Sequence, residues 1–203
     1  MRPALPRLHA ITDERIARRA DLSDVARELA AAGAANLALH ARGRALSGLE
    51  HYDLSFHLSN SPSPLFVNDR LDVAVALKAA GVQLGTGSLP VSAARRLRAE
   101  WWIGRSVHTF AEADGAKAEG ADYLLVGPVY PTATHPDRPP LGLDTLAQIA
   151  NLGLPVIAIG GIGPAQAREV KAAGAYGAAA IRALWDAADP ADAVRRMLEE
   201  LPR

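Results

Sequence analysis

Cysteine is missing from the chain altogether. That removes disulfides, thiol nucleophiles and cysteine-ligated zinc or iron–sulfur centres from consideration. Aromatic residues are scarce, 5% against 49% hydrophobic, so a core must be built from Ala, Val, Leu and Ile, as suits helices packed on a parallel sheet. An excess of charge of either sign is also lacking: 22 Lys plus Arg stand against 22 Asp plus Glu. Nucleic acid and membrane surfaces are therefore not expected partners, and an anionic ligand would be held by local groups rather than a global field. No apolar run reaches transmembrane length. Met1 to Arg7 carries two Arg and two Pro but leads into no apolar signal segment, so the expected setting is cytoplasmic. The 203 residues suit one domain better than two, and residues 1–203 are read as a single domain.

What is present is a rhythm. Short apolar runs at 8–12, 36–42, 64–68, 82–84, 101–107, 123–126, 156–159 and 178–181 alternate with helical stretches. The helices are expected at 21–32, 45–58, 71–80, 88 or 90–99, 111–118, 143–151, 164–173 and 190–201. Gly33, Gly81, Gly120 and Gly174 stop four of them. Eight strands and eight helices in strict alternation demand a parallel sheet with helical crossovers. In about 200 residues this predicts one compact (β/α)8 TIM barrel, near the lower size limit of that fold. An open doubly wound sheet would carry a Gly-rich turn after its first strand, and Ile11-Thr12-Asp13-Glu14-Arg15 is not one.

Active sites of such barrels form at the C-terminal ends of the strands, so the polar residues there are the candidates. Gly160-Gly161-Ile162-Gly163 ends strand seven directly before Pro164. Glycines there let backbone N–H groups approach a phosphate at a helix N-terminus, although the same residues could form a plain turn. Asn68-Asp69 after strand three could position Mg²⁺, or Asp69 could simply cap the next helix. On strand two, Leu37, Leu39 and Ala41 should face the helices, which turns Ala38, His40 and Arg42 towards the barrel axis and mouth. A histidine at His40 could transfer protons near neutral pH or be structural. Ser106 and His108 close strand five, and the strand-six loop holds Thr132, Thr134, His135, Asp137 and Arg138. His9, His51 and His57 lack such a setting and are expected to be structural or surface residues.

Several segments together resemble the thiamine phosphate synthase and TenI superfamily. They are Ile11-Thr12-Asp13, Val67-Asn68-Asp69-Arg70, Gly81 to Gly85, Gly104 to Thr109, Gly120 to Tyr123, Gly127 to Thr134 and Ile159 to Ile162. The resemblance runs in order over nearly the whole chain and is weakest at 45–63, which looks shortened. It implies a small phosphorylated thiazole as ligand, a homodimer or larger assembly, and Ile181 and Arg182 beside Gly160 and Gly161 at the phosphate.

In the synthase of this superfamily a pyrimidine diphosphate loses pyrophosphate, with Mg²⁺, and a thiazole phosphate nitrogen attacks the resulting cation. Its strand-two pattern Gln-x-Arg-x-Lys reads Ala38, His40 and Arg42 here; its second metal-binding Asp reads Ser88; the Lys of its Thr-x-Thr-Lys loop reads His135. These departures suggest that the pyrophosphate and metal end is dismantled while the thiazole phosphate end is intact. They favour the TenI branch, a tautomerase that aromatises a thiazole carboxylate phosphate by proton transfer without a metal. The tautomerase histidine after the strand-six Gly is Pro128 here, so His40 or His135 is expected to move the proton. Arg42, Asn68, Ser106, Thr132 and Thr134 would bind substrate, and Asp69 would serve a metal only in a synthase. The alternatives are that synthase and a non-catalytic thiazole or thiamine phosphate binder.

Overall fold

The computed structural model describes residues 2–132 and 138–202. Among them, eight parallel strands close into a barrel in sequence order. They are β1 (Leu8–Ile11), β2 (Leu37–Ala41), β3 (Leu65–Asn68), β4 (Gly81–Leu84), β5 (Trp102–Val107), β6 (Tyr123–Val126), β7 (Val156–Ile159) and β8 (Gly177–Ala180). The crossovers are α2 (Leu22–Gly33), α3 (Gly48–Ser59), α4 (Leu71–Ala76), α5 (Val91–Leu97), α6 (Phe110–Ala118), α7 (Gly142–Ala150) and α8 (Pro164–Ala172). After β8, α10 (Pro190–Glu199) packs back onto α2. The (β/α)8 barrel expected from the alternation is therefore the fold.

Two four-residue helices were not visible in the rhythm: α1 (Glu14–Ala17) and α9 (Arg182–Trp185). Both sit at the C-terminal ends of strands, where they shape loops rather than cover the sheet. Two boundaries also moved for local reasons. The helix expected from residue 45 starts at Gly48, because Ser47 and Glu50 form a reciprocal capping box. The helix expected to reach residue 80 ends at Ala76, and Lys78 adopts a left-handed φ of 52° that no helix continues through. No helix of the described residues is long and apolar enough to cross a membrane.

Side chains alternate as the pleat requires. Leu8 and Ala10, Leu37 and Leu39, Leu65 and Val67, and Leu124 and Val126 face the helices and build the larger core. Their neighbours Ile11, Ala38, Phe66, Tyr123, Leu125, Ile157 and Ala179 fill the barrel interior. The interior holds two large rings because glycines stand beside them. A Cβ on Gly81 would lie 2.4 Å from a Phe66 ring carbon, and one on Gly104 2.2 Å from the Tyr123 ring. The lower end is closed by the N-terminal segment. Leu5 inserts into the interior cluster, the Tyr176 hydroxyl donates to its carbonyl at 2.7 Å, and Trp102 Nε1–H donates to Pro3. The Arg2 guanidinium lies 3.5 Å above the Trp102 ring.

These contacts generate a paired expectation. Gly104→Ala forces a methyl group into both Tyr123 and Gln83 and should lower unfolding free energy by about 1–3 kcal/mol. Gly115→Ala, in α6 with nothing within 4 Å of the new Cβ, should raise it by about 0.5–1 kcal/mol. Urea denaturation of the two variants reads both signs; an equal response would contradict the interior packing.

Candidate active site

The site is assembled by side chains that tie each βα loop to its neighbour. Thr12, directly after β1, is fully buried. Its hydroxyl accepts the Arg42 N–H at 2.8 Å and reaches the Arg42 carbonyl at 2.8 Å, fixing the backbone where β2 ends. Asp13 caps α1, its carboxylate accepting Ile16 N–H at 2.9 Å. Glu14 then receives the N–H groups of Arg44 and Ala45. Both Arg42 and Arg44 line the cavity as a result. Burial lowers the Arg42 pKa, the nearby Arg44 charge lowers it further, and Glu14, Asp69 and Asp13 act in the opposite direction; an arginine stays charged throughout.

Asp69 does not cap α4. Arg70 occupies the cap position without a side-chain bond, and Asp69 itself has a left-handed φ of 61°. Its carboxylate reaches across to the β4 loop, accepting Gly85 N–H at 2.9 Å and the Ser88 hydroxyl. A non-glycine residue in that conformation persists only where surrounding contacts over-determine it. Among the described residues, no group of three His, Cys, Asp or Glu could hold a metal ion. Mg²⁺, however, is commonly held by one or two carboxylates together with substrate phosphates. Asp69 at the cavity wall beside Arg42 and Thr86 fits a cation that arrives with a diphosphate.

Across the mouth, β7 and β8 supply the second arc. Gly160 and Gly161 have φ of 100° and 68°, and a Cβ on them would lie 2.6 Å from Pro128 Cα and 2.7 Å from the Pro131 carbonyl. Only glycine brings the backbone this close. Pro164 then opens α8, with Gly163 N–H held by the Gln166 side chain. Ile181 precedes α9 and Arg182 begins it. Between the arcs lies a cavity of about 390 Å³. In an eight-stranded ring β3 faces β7, so one cavity has an arginine- and aspartate-bearing wall opposite a glycine-rich wall.

Most of the expected residues meet there. Arg42, Asn68, Asp69, Ser106, Thr132, Gly160, Gly161, Ile181 and Arg182 all line the cavity. Thr134 and His135 lie outside the described residues. His40 does not line it. Its inward orientation is as the strand parity required, but it is fully buried in the barrel interior, stacked on Phe66 at 5.0 Å between ring centroids. His9, expected to be structural or at the surface, lies beside it, its Nδ1 2.7 Å from His40 Nε2. His108, placed at the end of strand five, lines it too, whereas Arg44 and Thr86 were passed over. His108 Nδ1–H donates to the Gly127 carbonyl. The signal for Arg44 was present in Arg42-Gly43-Arg44, where a glycine lets two arginines turn to one side.

A (β/α)8 barrel whose loop residues gather over one cavity at the C-terminal ends of its strands has the architecture of an enzyme. More narrowly, the chain belongs to the thiamine monophosphate synthase family, whose model matches residues 8–184. It is 41% identical over 201 residues to a thiamine-phosphate synthase from Methanoculleus marisnigri, covering 96% of this chain and 94% of that one. It is 48% identical over 142 residues, 68% of this chain, to a thiamine biosynthesis bifunctional protein ThiM/ThiE from Symbiobacterium thermophilum, of which the match spans 30%. The match spans 64% of a thiamine-phosphate synthase from Chloroflexus aurantiacus. The thiamine phosphate pyrophosphorylase structure from Pyrococcus furiosus superposes with a TM-score of 0.81 at 34% identity, covering 96% of this chain and 95% of that one.

These relatives overturn the tautomerase expectation. Proteins 36–48% identical to the chain carry the synthase name, and the proton-transfer role assigned to His40 and His135 falls with the tautomerase. The physical ground for that expectation was also incomplete. The substitutions on strand two suggested a dismantled pyrophosphate end, whereas Arg42, Arg44 and Asp69 converge on one wall.

The buried histidine pair generates a pH dependence. Burial pushes the His9 imidazolium down to about 4, opposed in part by the Pro6 carbonyl. Burial, and then the neighbouring His9, push His40 well below its ordinary value of 6.5, opposed by Asn68. Between about pH 6.5 and 4 the unfolded chain therefore binds protons that the folded chain refuses, so stability is complete above pH 6.5 and falls as pH drops. For His9 the loss should approach roughly 1.4 kcal/mol per pH unit within that window, and His40 adds to it in the same direction. Urea midpoints from pH 7.5 to 4.5 should show this slope, and His9→Gln/His40→Gln should flatten it.

Proposed function

We propose that the chain is a thiamine-phosphate synthase, joining a pyrimidine diphosphate to a thiazole phosphate with release of pyrophosphate. The observation that supports this reading is the arginine-bearing wall facing a glycine-rich wall across one cavity, set beside similarity to synthases along most of the chain. Two phosphorylated substrates must meet in this reaction, and two facing sites are what it requires. Arg42 and Arg44 would take the leaving pyrophosphate through charge-assisted hydrogen bonds. The backbone N–H groups at Gly160, Gly161, Ile181 and Arg182 would hold the thiazole phosphate, and Asn68, Ser106 and Thr132 would contact the rings and phosphates between them.

The bond from the pyrimidine methylene carbon to the diphosphate oxygen breaks, and pyrophosphate departs with the bonding electrons. The thiazole nitrogen lone pair then forms the new C–N bond, giving the thiazolium. No proton changes place, so the reaction needs no histidine at the mouth, in keeping with the burial of His40. Mg²⁺, when bound at Asp69 together with the diphosphate, would neutralise charge on the leaving group. The chain's own part is electrostatic: fixed cations on one wall, aimed where charge develops, cost no reorganisation during the reaction. The expectation of a protein without a cofactor belonged to the tautomerase and is replaced by this one.

Purified protein with pyrimidine diphosphate, thiazole phosphate and Mg²⁺ should release pyrophosphate and form thiamine phosphate in equal amounts. Chelation of Mg²⁺ should abolish turnover. Absence of product with all three components present would refute the reading.

The two walls should also separate kinetically. Arg42→Ala and Arg44→Ala should each lower kcat/KM for the diphosphate by roughly 10- to 100-fold, the value of a hydrogen bond to a charged group. Gly161→Ala should instead raise KM for the thiazole phosphate, because its Cβ meets Pro131 and Tyr130 and displaces the backbone.

A further inference from the structure

A line of buried polar groups runs under the cavity floor from β1 to β3. His9 Nε2 lies 3.0 Å from the Pro6 carbonyl oxygen. His9 Nδ1 lies 2.7 Å from His40 Nε2, and His40 Nδ1 lies 3.3 Å from Asn68 Oδ1, one of two amide atoms that only the hydrogen-bond network tells apart. Both rings are fully buried, whereas Asn68 lines the cavity. Hydrogen-bond polarity along this line can be solved from one end. A carbonyl oxygen only accepts, so His9 Nε2 carries its proton. A ring kept neutral by burial has one proton, so His9 Nδ1 is an acceptor and His40 Nε2–H must be the donor to it. His40 Nδ1 is then also an acceptor, and it can be satisfied only by a donor. The Asn68 amide oxygen cannot fill that place; its Nδ2 can, and the two atoms of an amide are distinguished by such a network.

We infer that His9 and His40 are positioning residues that lock the Asn68 amide with Nδ2 towards His40 and Oδ1 towards the cavity. The floor of the site therefore presents a hydrogen-bond acceptor, fixed from a backbone carbonyl 62 residues away in sequence through two imidazoles. The group it selects is an N–H or O–H donor: an amino group on the ring of a substrate, or a water molecule.

The deciding measurement is ¹⁵N NMR of the protein labelled at its six histidines, with His9→Gln and His40→Gln used for assignment. At pH 7.5 both buried rings should show the Nε2–H tautomer, with Nδ1 unprotonated. An Nδ1–H tautomer in either ring would overturn the proposal, and this arm needs no catalytic activity. A second arm rests on the synthase reading. His9→Leu removes the acceptor for His40 and frees the amide to turn, so KM for the pyrimidine diphosphate should rise roughly three- to tenfold with kcat within about twofold. His9→Asn, which returns an acceptor at the position of Nδ1, should recover most of the loss. Unchanged KM in His9→Leu, or no recovery in His9→Asn, would count against the positioning role. Loss of all turnover in the unaltered protein would sink the synthase reading alone, leaving the tautomers to be read.

Discussion

A closed ring of eight strands leaves an interior of fixed width, and its contents must fit that width layer by layer. Here the fit is made by pairing Phe66 and Tyr123 with inward-facing glycines at 81 and 104. Two large rings and two missing side chains occupy what four medium residues would fill elsewhere. The aromatic layer in turn supports His9 and His40, which pack on Phe66 and Tyr123. Above these lie Asn68 and Ser106, where the cavity begins. The depth of the site is thus set by packing well below it.

Above that floor, cohesion passes from apolar contact to polar ties between successive loops. Thr12 holds the end of β2, Glu14 holds Arg44, and Asp69 holds the β4 loop. Each tie runs from one βα unit to the next. The cationic wall is therefore a property of the first two units together, and neither alone would present it. Such a wall needs no net charge on the protein, in keeping with the balance of acidic and basic residues.

Much of this was legible in the sequence because it follows from periodicity. The eight strands, the inward parity of His40 and the glycine turn after β7 all rest on spacing, which local geometry enforces. What spacing does not encode is depth. His40 faces inward as expected, yet whether an inward residue reaches solvent depends on how many layers lie above it. His9 was passed over because its surroundings in sequence are unremarkable, while its partner is 31 residues away. Asp69 read as either a metal ligand or a helix cap, because an aspartate before a helix usually is a cap; its left-handed backbone and its bond to Gly85 are tertiary. The substitutions on strand two were read one position at a time, so the convergence of Arg42 and Arg44 was not visible and the chemistry was assigned to the wrong reaction.

The segment from Arg2 to Arg7 closes the barrel at the end opposite the cavity, held by Trp102, Tyr176 and the backbone of β8. Stability and chemistry are consequently drawn from opposite poles of one molecule. A surface, a label or a second protein joined ahead of Arg2 would leave from the closed pole, with the mouth still facing open solution. The architecture is in that sense already oriented for display.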